Sequence, residues 1–240
     1  MIKTVIKSEL KNMSRDRLYI FFFFYPFIIG LIGYFLIPYL RNQVGPENIV
    51  PEIVAMLLIL MTGYIFGALT AFTLLDDRDD SVLMSLKITP ISVKAYVAMK
   101  LVISFIFGFI ATLAIILSTG FLPDSTFLTI MLISIVGALQ APGVALIINA
   151  FAKNKVEGFV MMKMSALILA IPVIAFFVQS WQEVFLVFAP GFWSARMIQM
   201  ELISSIEVNF TLIVYFILGV IYNILFVSLF MWIYSKKNNI

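Results

Sequence analysis

Five charges stand side by side at Asp76, Asp77, Arg78, Asp79 and Asp80. Four carboxylates so close together are the one stretch where several acids could share a cation or a proton. The rest of the chain withholds the partners such chemistry needs. The 240 residues include no histidine and no cysteine, which removes disulfides, thiol nucleophiles, Cys/His metal sites and imidazole relays. Among the other loops on the same side only Glu157 adds an acid, so the run makes a poor cation site and a poor catalytic pair. No Gly-x-Ser-x-Gly elbow and no Gly-x-x-x-x-Gly-Lys-Ser/Thr loop occurs, so the chain has no P-loop with which to hydrolyse ATP.

The elements that must hold these residues are membrane spans. The composition is 62% hydrophobic and 12% charged, against about a quarter charged in a soluble domain. Several apolar runs reach the roughly 20 residues needed to cross a hydrocarbon core. The runs are continuous rather than alternating in segments of about ten, which excludes a barrel. The expected fold is all-α and integral to the membrane, one domain over 1–240, with six spans near 18–40, 52–75, 96–120, 126–150, 161–180 and 210–234. The first run is longer than a signal-peptide core and no small-residue cleavage site follows it.

Orientation follows from lysine and arginine in short loops. Lys3, Lys7, Lys11, Arg15 and Arg17 precede span one. Arg78, Lys87, Lys94 and Lys100 follow span two, Lys153, Lys155 and Lys163 follow span four, and Lys236 and Lys237 end the chain. Only Arg41 and Arg196 fall on the other side. Six spans then place both termini in the cytoplasm. Residues 1–17 read as an amphipathic interfacial helix, with Lys3, Lys7, Lys11 and Arg15 on one stripe and Ile2, Val5, Ile6, Leu10 and Met13 opposite. Such a stripe suits anionic lipid or a partner; plain topology control accounts for it equally well.

Ionisable residues inside spans usually mark ion or proton coupling, and the expected span interiors contain none. Lys100 and Lys163 fall at span ends, where their stems can snorkel. Neutral polar residues do lie at depth, among them Thr62, Thr70, Gln140, Asn149 and Asn223. They either line a path or, on the plainer and favoured reading, bond helix to helix. Pro142 and Gly143 after Gln140 should loosen span four. Gly63-x-x-x-Gly67 and Ser104-x-x-x-Gly108-x-x-x-Thr112 provide small residues at helix-face spacing, which suits packing within the chain better than a dimer seam. Residues 181–209 are largely apolar, broken at Pro190-Gly191 and too short on either side to cross. A re-entrant or interfacial helical pair is expected there, rich in aromatics such as Phe192 and Trp193.

The loop 76–94 reads as an acidic start, in which Asp79 or Asp80 caps, then two turns "SVLMSLKI" stopped by Thr89-Pro90. Val82, Leu83 and Leu86 share an arc and would form apolar knobs ringed by Arg78, Asp79, Asp80 and Lys87: a docking element beneath the bilayer, or a solvated loop with one helical turn.

This stretch resembles the loop between spans two and three of ABC-2 type transporter permeases. Members carry acidic-Arg-acidic residues, a Leu-rich turn, a Pro-hydrophobic-Ser/Thr step and a later lysine. Asp77-Arg78-Asp79, Leu83 to Leu86, Pro90-Ile91-Ser92 and Lys100 match these here, while the usual Gly-Thr and second Glu are missing. The order of arm, six spans, loop and broken segment matches as well, with Pro190 and Arg196 in the family's last external connection. The resemblance implies the permease subunit of a bacterial exporter in the plasma membrane. In that family the loop is a coupling helix seated on a separate P-loop ATPase, present in two copies, which holds the ATP and magnesium. A second permease copy or a sister chain completes the path. Lys153, Lys155 and Glu157 would be a second cytoplasmic contact, and Pro190, Gly191, Phe192 and Trp193 an external gate. This chain would bind no cofactor, metal or nucleic acid and would not itself be an enzyme. The cargo would be amphipathic or hydrophobic: a drug, peptide or lipid. An ATP-independent carrier or channel is the alternative, and a lipid-modifying enzyme a weaker one.

Overall fold

A computed structural model of the protein describes residues 11, 15, 17–45, 48–86, 88–178, 180–203, 206 and 208–238. Most of the amphipathic helix expected over 1–17, and the contact expected of Lys87, lie outside the described residues.

Among the described residues, five long helices and one broken helix are long and apolar enough to cross a membrane, which makes this a multi-pass membrane protein. They are α1 (Arg17–Val44), α2 (Val50–Asp79), α4 (Val93–Thr119), α5 (Phe127–Phe151), the broken span of α6 (Lys155–Ala166) and α7 (Ala170–Ile174), and α9 (Leu212–Lys237). The five-residue α3 (Val82–Leu86) joins α2 to α4, and α8 (Phe192–Leu202) precedes α9. No strand occurs among the described residues.

Local chemistry sets the ends. Ser92, Thr126 and Asn154 each accept a backbone N–H three residues on, from Ala95, Thr129 and Glu157, as good N-caps do. Pro51 sits in the first turn of α2, where its missing N–H costs nothing. Gly120, at φ +62°, closes α4 in the left-handed conformation that glycine adopts freely.

α2 and α5 form the centre of the bundle, flanked by α1, α4, α6 and α9. Glycine brings the two central helices together: a Cβ on Gly63 would stand 2.5 Å from the Gly137 carbonyl oxygen, and one on Gly67 2.5 Å from that of Ala141. Gly108 of α4 lies against Ala138 and Ala141, and Ser104 donates to the Phe66 carbonyl at 3.0 Å. Both small-residue motifs are therefore spent on packing inside the chain. The large exposed apolar side chains sit mainly on α1 and α9, with others on α4, α6 and residues 174–188.

Two spans differ from expectation at ends that bear on the site. α2 continues past Leu75 to Asp79. The fifth span begins at Lys155 rather than 161 and ends by Ile174, with a 3₁₀ turn at Leu167–Leu169. The hydropathy of 161–180 masked this start, because Lys155, Glu157 and Lys163 lie on the first turns of a helix that Asn154 caps. Lys163 thus lies about 12 Å along the helix from Lys155, not at its opening.

Candidate functional site

Asp76 and Asp77 occupy the last turn of α2, not the start of α3. Carboxylates at a helix C-terminus oppose the helix dipole, and each here meets a cation. Lys155 Nζ lies 2.6 Å from Asp76 Oδ1 and Lys100 Nζ 2.5 Å from Asp77 Oδ2. The Tyr96 hydroxyl donates to the same Asp77 oxygen at 3.0 Å. Lys100 is only 3% exposed, so an ionisable group expected to snorkel is instead buried and paired.

Arg78 also turns inward. Its Nη1 donates to the Ala152 carbonyl at 3.0 Å, and its guanidinium stands 5.9 Å from the centre of the Tyr234 ring. Lys237 Nζ donates to the carbonyls of Asn149, Ala150 and Ala152 at 3.1, 2.9 and 2.9 Å. Two cations therefore cap the C-terminal end of α5, where backbone carbonyls have no helical partner. Together these contacts bind the basic ends of α2, α4, α5, α6 and α9 into one block.

α3 projects from this block. Asp80 closes α2 by donating its N–H to the Asp76 carbonyl at 2.8 Å, and Ser81 then turns the chain at φ +57°. The first turn of α3 is held by the Ser81 carbonyl, which accepts from the N–H groups of Met84 and Ser85. Asp79 and Asp80 do not cap α3; they are exposed beside it.

The apolar knobs are not those expected. Leu83 is 8% exposed and belongs to the core, with Leu86 packed against it and Val82 half-buried. Met84 at 72% and Ile88 at 90% exposure face outward instead. The sequence arc showed which residues share a face, but not which way that face turns.

The expected second contact is likewise mostly turned to internal work. Lys155 pairs with Asp76, and Glu157 accepts the Lys153 N–H at 2.8 Å. Lys153 and Val156 remain exposed in this turn.

Of the deep polar residues, Thr62 bonds Thr112 at 2.6 Å, Gln140 Nε2 donates to the Leu60 carbonyl at 2.8 Å, and Asn149 Nδ2 donates to the Ala71 carbonyl at 3.0 Å. These bonds link helices. Thr70 is buried, and its carbonyl accepts from Thr73. Asn223 stands apart: among the described residues its amide bonds only within α9, to the Gly219 carbonyl at 2.8 Å.

At the far end, Pro190, Gly191, Phe192 and Trp193 are all buried. Gly191 faces the Gln140 side chain near the middle of α5, and Trp193 packs on Gly219, with Tyr222 ring to ring at 5.9 Å. α8 then returns outward, where Ser125 Oγ donates to Glu201. This turn is held by a buried network that sequence reasoning missed. Arg196 Nη2 lies 2.9 Å from Glu183 Oε2, and Arg196 also donates to the carbonyls of Ala175 and Val178 and to Gln199 Oε1, each at 3.0 Å. Glu183 Oε1 accepts from Asn209 at 2.7 Å and from the Tyr215 hydroxyl at 2.8 Å. The readable signal was an acid and an arginine in one apolar segment, which at depth must pair. Charge is thus present inside the bundle, although compensated.

A family model described as fluoroquinolones export permease protein Rv2686c-like matches residues 9–231. Fluoroquinolones export permease proteins from two strains of Mycobacterium tuberculosis are each 26% identical over 198 residues, covering 79% of this chain and 78% of the relative. No solved structure matches.

Proposed function

This chain belongs to the Rv2686c-like fluoroquinolone export permease family, and from that premise we propose that it is the membrane half of an ATP-driven exporter whose ATPase is a separate chain seated on residues 76–94. The ATP and magnesium reside on that partner, two copies of which serve two permease chains, identical or sister. Both termini face the cytoplasm of a bacterial cell. The cargo is an amphipathic or hydrophobic molecule of the fluoroquinolone kind named for the relatives, moved outward.

One observation carries this reading. α3 presents Met84, and the turn after it Ile88, to the outside while Leu83 fixes the helix to the core, and its flanking turn is riveted to α4 and α6 through Asp77–Lys100 and Asp76–Lys155. A rod seated that firmly transmits a push from a partner into the spans, whereas a loose loop would absorb it. Asp79 and Asp80 are exposed just before α3 and suit a basic rim on the partner's groove.

The test is co-purification of the ATPase chain with the Met84→Asp/Ile88→Asp variant, together with transport-coupled ATP hydrolysis. Loss of both, with membrane insertion intact, is expected. Undiminished association and coupling, or uphill transport by the permease alone, would overturn the reading.

A further inference from the structure

Two apolar grooves open on the sides of the bundle, and they differ in one respect. The first, about 350 Å³ between α1 and α4, is lined by rings such as Phe23, Phe27 and Phe107, with Ser118 and Thr119 at one end. Both hydroxyls donate to the Ile115 carbonyl, so this groove has the walls of a crevice for acyl chains.

The second groove, about 340 Å³, lies between α4 and α9 with Pro142 of α5 at its floor. Its walls include Val102, Phe105, Val227 and Met231. It sits in the half of the spans nearer the basic ends, because its residues on α4 are 98–105 and those on α9 are 223–231. One lining side chain is out of keeping. Asn223 is 1% exposed, and its Oδ1 has no hydrogen-bond partner among the described residues. The amide cannot be turned to relieve this, because Nδ2 is the atom that donates to the Gly219 carbonyl. The other polar group, the Ser228 hydroxyl, spends its proton on the Ile224 carbonyl. Asn223 Oδ1 is therefore the unmet acceptor in apolar surroundings, where such an atom is costly.

We infer that this groove is a binding site for a neutral amphiphile with an apolar, ring-sized body and one O–H or N–H donor, which enters from the leaflet on the basic side and donates to Asn223 Oδ1. A phospholipid tail fills the same walls but carries no donor, and its ester oxygens only accept. The site thus distinguishes an amphiphile from bulk lipid by a single hydrogen bond, worth about tenfold in affinity. The inference concerns binding by this chain alone and does not depend on the exporter reading.

The experiment uses the full-length chain in phosphatidylcholine nanodiscs without any ATPase. Two photolabels are compared: a (trifluoromethyl)phenyldiazirine carrying a para-hydroxyl, and its O-methyl ether. The phenol should label Val102, Phe105, Val227 or Met231 saturably, with the ether about tenfold weaker. Asn223→Leu should make the two labels equivalent; it removes only a bond within α9, so the bundle's interhelical bonds remain. Val227→Trp should fill the groove and abolish labelling by both. Equal labelling of the native protein by phenol and ether would reduce the groove to a lipid crevice and overturn the proposal. So would unsaturable labelling spread over α1 and α9. Should Asn223→Leu fail to fold, the two-label comparison on the native chain and the Val227→Trp result still decide. Failure here leaves the coupling role of α3 untouched, because no ATPase is present.

Discussion

The Asp77 carboxylate lies 2.5 Å from Nζ of Lys100, and this contact ties the last turn of α2 to the second turn of α4 across the base of α3. The carboxylate, placed against the dipole of its own helix, gains in Lys100 and Tyr96 the donors it needs. The lysine, 3% exposed, gains the charge that makes its burial tolerable. The short helix between them is thereby anchored on both sides.

Breaking one partner of that pair leaves a buried charge uncompensated. Asp77→Asn and Lys100→Met should each destabilise the detergent-solubilised protein by about 3 kcal/mol, read as a lowered thermal midpoint. The double variant should recover a large part of that loss, because neither charge is then stranded. Equal losses in single and double variants would mean that the pair does not act as a unit.

Arg78, Asp79 and Asp80 are neighbours with different work. Arg78 and Lys237 hold the carbonyls at the end of α5, so Arg78→Ala and Lys237→Ala should each cost about 1.5–3 kcal/mol of stability, the range for hydrogen bonds to charged groups. Asp79→Asn and Asp80→Asn, exposed and outside this cap, should shift stability by less than about 0.5 kcal/mol. On the proposed function, those two substitutions instead weaken association with the ATPase chain. Thermal melts and co-purification run side by side separate the two effects.

The six spans were legible because length and hydropathy are one-dimensional properties, and α1, α2, α4, α5 and α9 fall within a few residues of expectation. The glycine motif was legible for a similar reason, since close helix approach demands small residues at fixed spacing. What the sequence withheld was direction. Leu83 and Leu86 share an arc with Val82, but periodicity cannot say whether that arc faces the bundle or a partner, and the bundle took it. Pairing was withheld for the same reason. Lys100 reads as a snorkelling end residue until α2 proves to run on to Asp79 and bring Asp77 beside it. Glu183 and Arg196 meet only because the chain turns back at Pro190-Gly191.

The glycines allow a graded test of packing. Alanine at Gly63 or Gly67 places a Cβ 2.5 Å from a backbone oxygen of α5, which a side-chain rotation cannot relieve. Each should cost about 1–3 kcal/mol as the central helices are forced apart. Alanine at Gly108 meets Ala138 and Ala141 at 3.6–3.7 Å, an ordinary contact, and adds helix propensity. It should be neutral or slightly stabilising. A Gly108→Ala variant as damaged as Gly63→Ala would contradict the looser contact seen between α4 and α5.

The Glu183–Arg196 pair makes the position of α8 measurable. The chain has no cysteine, so a single one placed at the fully buried Ser194 reports whether the turn opens to a membrane-impermeant maleimide. In the otherwise native protein it should react slowly. Glu183→Gln removes the charge facing Arg196, and a cost of about 3 kcal/mol for the stranded guanidinium raises the open population, and with it the labelling rate, by about a hundredfold. Tyr215→Phe removes one hydrogen bond to the Glu183 carboxylate but leaves the ion pair in place, and should raise the rate by less than Glu183→Gln does. Arg196→Met combined with Glu183→Gln leaves no stranded charge and should label more slowly than Glu183→Gln alone. If Ser194→Cys labels at the same rate in all four backgrounds, the ion pair does not hold the turn, and the closure of the far end rests on aromatic packing around Trp193 alone.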